Sequence, residues 1–137
     1  MRDKTFRVDF VTPQKIIYSD QVLGVSAPGV MGSFQVLYNH APLLAAIAVG
    51  EVKVRDKEGK ELFFAASGGF VEVRANKLVM LAETLESATK IDVERAKRAK
   101  ERADQRLADK KADIDIRRVS VALMRAVNRL RVASRIG

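Results

Sequence analysis

The chain has 137 residues, 47% of them hydrophobic and 31% charged, and a formal net charge of +8; that is enough for one ordinary globular domain, or a small domain with an appendage. With no cysteine and a single histidine, His40, disulfides, thiolate nucleophiles and multi-histidine metal centres are excluded. No stretch approaches the ~18–20 apolar residues of a membrane helix. The opening Met1-Arg2-Asp3-Lys4 has no apolar secretory core, so a cytoplasmic chain is expected.

The first part of the chain predicts strands. Phe6-Arg7-Val8-Asp9-Phe10 alternates with period two. Ile16-Ile17-Tyr18 and Val22-Leu23 follow, interrupted by Ser19-Asp20, and Pro28-Gly29 and Gly32-Ser33 punctuate the next stretch as turns. Leu43 to Val49 is a continuous apolar run ended by Gly50, and Val52-Lys53-Val54 alternates again. Asp56-Lys57-Glu58-Gly59 is a hairpin loop before Leu62-Phe63-Phe64. Gly68-Gly69 precedes Phe70-Val71-Glu72-Val73, and Asn76-Lys77 turns into Leu78-Val79-Met80-Leu81. Short strands with frequent turn signals predict a β-sandwich over residues 1–86.

The texture changes near residue 87. Ser87-Ala88-Thr89-Lys90 is expected to be a linker, and Asp92 an N-cap with Glu94 in the first turn. A helix free of Pro and Gly then runs to Leu107, with Ala96, Ala99, Ala103 and Leu107 on one side. Asp109-Lys110-Lys111-Ala112-Asp113 is a polar turn and Asp115 a second N-cap. Ile116, Val119, Leu123, Ala126, Leu130 and Ala133 repeat at spacings of three and four, which is a helix seam. Residues 87–137 therefore form an antiparallel two-helix hairpin. Its alanine-rich seam buries little area, so the hairpin depends on the sandwich, a ligand or a partner to hold it.

Charge divides at the same place. Residues 1–89 carry ten Lys/Arg and ten Asp/Glu; residues 90–137 carry fifteen and seven, and ten of the fifteen are arginines. Arginine enrichment favours geometric recognition of carboxylate or phosphate over a merely solvated face. Nucleic acid is the usual rival, but no aromatic follows Phe70 and seven acids interrupt the stripe. Gly24 and Gly29 have P-loop spacing, yet Val30-Met31 stands where Lys-Ser/Thr is needed, so they are turn glycines. His40 has no Ser or Cys partner in sight, which leaves a loop histidine or an interface residue. Asp92, Arg95, Ala96, Ala99, Arg102 and Ala103 share one helix face, and Arg125 and Arg129 are one turn apart on the other helix. One acid, several guanidiniums and small side chains suit a nucleotide, with the acid or a nearby backbone carbonyl accepting from an adenine amino group and the guanidiniums holding phosphates.

These residues also carry a resemblance. The order of the two parts, the block His40-Ala41-Pro42-Leu43-Leu44, the strand Ala66-Ser67-Gly68-Gly69-Phe70-Val71-Glu72-Val73 and the Ala82-Glu83 ending resemble the epsilon subunits of bacterial rotary ATP synthases over essentially the whole chain. Gln35-Val36 departs from the family's Gly-Ile, and Tyr38-Asn39 from its Pro-Gly. The resemblance implies a non-catalytic central-stalk subunit at the cytoplasmic face of the membrane. Its sandwich would dock on the gamma subunit and the c-ring, with Met31, Gly32, Ser33, Phe34 and His40 near that interface. Its hairpin would switch between compact and extended forms and, extended, meet the catalytic beta and alpha subunits and block ATP hydrolysis. Ile91-Asp92-Val93-Glu94-Arg95-Ala96 also resembles the family's ATP-binding motif. Ile91, Asp92, Arg95 and Ala96 match it, and Glu86, Arg102, Arg125 and Arg129 match its accompanying positions. ATP, alone or with Mg²⁺, is thus implied as a regulatory ligand that is sensed and not hydrolysed. The alternative is a basic-hairpin module for nucleic acid or acidic proteins, for which a steep salt dependence would be the mark.

Overall fold

The computed structural model describes residues 4–109 and 115–136. Its N-terminal part is built from strands β1 (Phe6–Val11), β2 (Ile16–Gly29), β3 (Gly32–Leu37), β4 (Leu43–Ile47), β5 (Gly50–Asp56), β6 (Glu61–Ala66), β7 (Gly69–Arg74), β8 (Lys77–Ala82) and β9 (Leu85–Ser87). The first half of β2 pairs antiparallel with β1, and its second half with β3 and β5. Through β2 one layer, β4-β7-β8-β1, is joined to another, β3-β2-β5-β6-β9, and a single bridge between Gly29 and Ile47 closes the far side. The β1–β8 pairing is parallel; the others are antiparallel. This is the expected β-sandwich.

The period-two pattern builds the core directly. Phe6, Val8 and Phe10 of β1 face inward, with Val52 and Val54 of β5, Val71 and Val73 of β7, and Leu78 and Met80 of β8. Phe10 and Phe64, from opposite layers, meet edge to face at 5.4 Å, and Tyr18 lies 5.7 Å from each ring. Burial raises the Tyr18 phenol above its ordinary value.

Two expectations about the strands are corrected. Ser19-Asp20 does not break β2: Ser19 pairs with Asp9 and Asp20 with Val8, within the regular part of a ladder whose register shifts only between Phe10 and Val11. Ser19 faces solvent, where its hydroxyl donates to Asp9 Oδ1 at 2.5 Å, and the half-buried Asp20 lies 3.7 Å from Lys57 Nζ. Pro28-Gly29 and Gly32-Ser33 are strand ends, not turns; Gly29 opposes Gly32, and the turn between them is Val30-Met31. Gly50 likewise opens β5, and a Cβ there would lie 2.6 Å from Pro28 Cβ, so glycine permits the crossing.

Ser87 to Lys90 is not a free linker. Ser87 ends β9, which pairs with β6, and Ala88–Lys90 forms one 3-10 turn. Helix α1 (Val93–Ala108) starts where Asp92 accepts the Arg95 amide at 3.0 Å. Helix α2 (Ile116–Ala133) starts where Asp115 accepts the Arg118 amide at 3.2 Å. The expected turn residues Lys110 to Asp113 lie outside the described residues. Ala96 and Ala103 of α1 are buried, with Val119 and Ala126 of α2. Ile116, placed on the seam by its spacing, is exposed. Asn128 and Val132, off the expected seam, are buried because α2 has a second neighbour, the sandwich.

That second contact is small. Val132 packs with Ala65 and Ala88, flanked by Phe63 and Ile91. Full burial of a valine stabilises by about 1.5–2 kcal/mol, so polar contacts must supply much of the rest. Asn128 Nδ2 donates to Gly50 O at 2.9 Å and more weakly to Ala66 O at 3.4 Å, while its Oδ1 accepts from Arg131 at 2.8 Å. Arg129 pairs with Glu86 at 2.5 Å, Arg125 with Glu83 at 3.4 Å and Arg135 with Glu51 at 2.8 Å.

Candidate functional site

A cleft of about 620 Å³ lies where the hairpin meets the sandwich. The β1–β2 turn supplies Thr12, Gln14 and Lys15, and the segment entering and forming β9 supplies Glu83 to Glu86. Lys90 and Asp92 stand at the start of α1, Arg95, Ala96, Ala99 and Arg102 line its face, and Arg129 enters from α2. Spacings of three and four put Arg95, Ala99 and Arg102 on one side of α1. Alanines beneath the arginines leave room above the helix.

The charges in the cleft are unequally satisfied. Glu86 is taken up by Arg129 and Glu83 by Arg125. One oxygen of Asp92 is engaged with the Arg95 amide. Lys15, Lys90, Arg95 and Arg102 have no ion-pair partner among the described residues. A cleft with four cations outside any ion pair, against one such carboxylate, Asp92, is suited to a multiply charged anion, and the planar guanidiniums to phosphate oxygens in particular.

Of the eight residues expected in a nucleotide site, Glu86, Asp92, Arg95, Ala96, Arg102 and Arg129 line this one cleft. Ile91 and Arg125 do not. Ile91 packs beside Ala88 and Val132 and anchors the hairpin base. Arg125 turns towards Glu83, and its Nε is buried with no acceptor among the described residues. Lys15, Gln14 and Lys90 were missed. Gln14 and Lys15 arrive by the packing of a distant turn, which no local spacing reveals, whereas Lys90 sits in the 3-10 turn two residues before Asp92.

The residues expected at a rotor interface are not gathered in one place. Met31, 99% exposed, sits with Gly32 and Ser33 at one end of β3. Phe34 packs on the sandwich core. His40 follows the other end of β3, roughly 20 Å away for a six-residue strand. Its amide donates to Leu37 O, and its Nδ1 lies 2.6 Å from Ala41 O. Asn39, at positive φ, exchanges hydrogen bonds with Asn76 that tie this loop to the β7–β8 turn. Beside it runs an apolar strip unnoticed in the sequence. Leu44, Phe70 and Leu81 are 73%, 58% and 56% exposed on neighbouring strands β4, β7 and β8. The available signal was their parity, since each is a large apolar residue at an outward position of an alternating strand.

Comparison with known proteins gives two family matches in chain order. Residues 5–88 match the "ATP synthase, Delta/Epsilon chain, beta-sandwich domain", and residues 89–134 the "ATP synthase, Delta/Epsilon chain, long alpha-helix domain". The chain belongs to the ATP synthase delta/epsilon family. A protein called ATP synthase epsilon chain from Desulforamulus reducens is 48% identical over 130 residues, covering 95% of this chain and 98% of the relative. One of the same name from Syntrophomonas wolfei is 42% identical over 135 residues, covering 98% of each. Among solved structures, a chain of the Euglena gracilis mitochondrial ATP synthase superposes with TM-score 0.75 at 19% identity, covering 95% of this chain and 81% of that one. The delta/epsilon fold thus extends over the sandwich and both helices. Among the described residues, no helix is long and apolar enough to cross a membrane.

Proposed function

We propose that this chain is a non-catalytic regulatory subunit, held at the cytoplasmic face of the membrane as part of the synthase. The sandwich docks on the gamma subunit and the c-ring. The apolar strip Leu44-Phe70-Leu81 and the Met31 and His40 loops offer surface for that docking. The hairpin brakes ATP hydrolysis when it extends, and its arginines then meet carboxylates of the catalytic beta and alpha subunits. ATP in the cleft opposes this by favouring the compact form.

The carrying observation is that one cleft has walls on both bodies. A ligand touching the sandwich turn and α1 together binds the compact state better than any state that separates them, and differential affinity is what shifts a conformational equilibrium. ATP matches the cleft in kind. Asp92 has a free oxygen for an adenine amino group, and unpaired guanidiniums face the place for phosphates. Since Glu83 and Glu86 are engaged with arginines, any Mg²⁺ would be held mainly by the phosphates. Asp92, the one lining carboxylate outside an ion pair, is committed to the α1 cap and the adenine, which leaves no carboxylate over the phosphates to activate water, so the nucleotide is sensed and not cleaved.

The test is ATPase activity of a synthase depleted of this subunit and reconstituted with the full chain or with residues 1–87. The full chain should inhibit, with inhibition relieved as ATP rises, and residues 1–87 should bind without inhibiting. Equal inhibition by both would remove the hairpin from the mechanism.

A further inference from the structure

We infer that Lys15, on the β1–β2 turn of the sandwich, is a phosphate-directed ligand of the interdomain cleft and makes it a clamp for the polyphosphate group. This deepens the ATP-sensing proposal and rests on it. The turn is well fixed: the Thr12 amide donates to Lys15 O at 2.9 Å and the Thr12 hydroxyl to the same oxygen at 3.3 Å. Thr12 is only 8% exposed, so the base of the turn is anchored in the sandwich. Lys15 therefore enters the cleft from the wall facing Arg95 and Arg102.

Its charge is unspent. Lys53, Lys57, Lys77, Lys97 and Lys100 all have a carboxylate in reach. Lys15 has none among the described residues; Glu83 and Glu86 are paired with arginines, and Asp92 holds the Arg95 amide through one oxygen without an ion pair to Lys15. Cations on two bodies face one space. When the space is empty they repel, which opposes docking of the hairpin; a polyanion between them turns the same charges into a bridge. Lys15 is the sandwich's own contribution to that bridge. It couples the number of phosphates on the ligand to the position of the hairpin.

The experiment titrates the full chain by calorimetry with ATP, AMP and inorganic tripolyphosphate, for wild type, Lys15→Gln and a control at an exposed lysine, Lys60→Gln. Lys15→Gln should weaken ATP and tripolyphosphate by on the order of 3- to 10-fold and AMP by less than about twofold, with the loss shrinking in high salt. Without ligand, the same variant should protect α2 amides from exchange more than wild type, because a repulsion has been removed. An ATP affinity in Lys15→Gln equal to wild type overturns the assignment and leaves the nucleotide proposal standing. Lys15-dependent tripolyphosphate binding with no preference for ATP does the reverse. Binding of neither probe by the wild type overturns both.

Discussion

Replacing Asn128 tests how the hairpin is held. Asn128 is 5% exposed in the middle of α2, and its amide group bonds Gly50 O and accepts from Arg131. Asn128→Ala removes two good hydrogen bonds, to Gly50 O and from Arg131, and a weak one to Ala66 O, leaving Arg131 short of an acceptor. A buried hydrogen bond contributes about 1 kcal/mol, and a polar group left unmatched costs about another 1 kcal/mol. The docking equilibrium should therefore shift by about 2 kcal/mol, or roughly 30-fold. Native-state hydrogen exchange reads this directly, because local opening and global unfolding are resolved amide by amide. Amides of α2 should lose about 30-fold in protection, while those of β5 and β7 keep theirs. Asn128→Asp adds a second arm. Its carboxylate faces two carbonyl oxygens at neutral pH and repels them, whereas the protonated acid can donate as the amide does, so undocking should lessen on acidification. Equal loss of protection in α2 and β7, or no loss anywhere, would refute the role of Asn128 in holding the hairpin on the sandwich.

Three further predictions concern separate features. The Asp9 carboxyl lies below its ordinary value of 3.8 because the Ser19 hydroxyl donates to it, with Arg7 and Lys77 adding. A depressed value gives stability that is present above about pH 4 and lost as pH falls through the folded value, so urea midpoints should separate Asp9→Asn from wild type at pH 6 and converge as the pH falls through that value. Gly69 has φ +135°, and a Cβ there would lie 2.0 Å from Leu81 O; Gly69→Ala should cost about 3 kcal/mol in urea unfolding. Asp92→Ala should lose the α1 cap, about 1 kcal/mol, whereas Asp92→Asn keeps it. If calorimetry finds ATP bound equally well by Asp92→Asn and wild type, the carboxylate has no part in the site.

The sequence was most informative where structure is local. Both N-caps, Asp92 and Asp115, act where spacing placed them, because an N-cap answers to its own next three amides. The alternation of Phe6 to Phe10 and of Val52 to Val54 put the residues that are buried on one face, since strand parity is fixed by the backbone. What could not be seen depends on packing between distant segments. Ser19-Asp20 looks like a break until β1 is laid beside it. Asn128 looks like a polar outlier on a helix until Gly50, 78 residues away, is found beneath it. The cleft was half legible: helix periodicity gathered Arg95, Ala96 and Arg102, but Lys15 enters from a turn some eighty residues earlier, and Ile91 serves packing instead of lining the cleft.

The central claim is that the chain works as a regulatory subunit on the synthase rotor. Its most direct test is to recover a tagged copy from the membranes of its own cells and identify what comes with it by mass. The account predicts the gamma subunit, the c-ring and the catalytic subunits, recovered together. Recovery of nucleic acid or unrelated acidic proteins, with no synthase subunit among them, would contradict it.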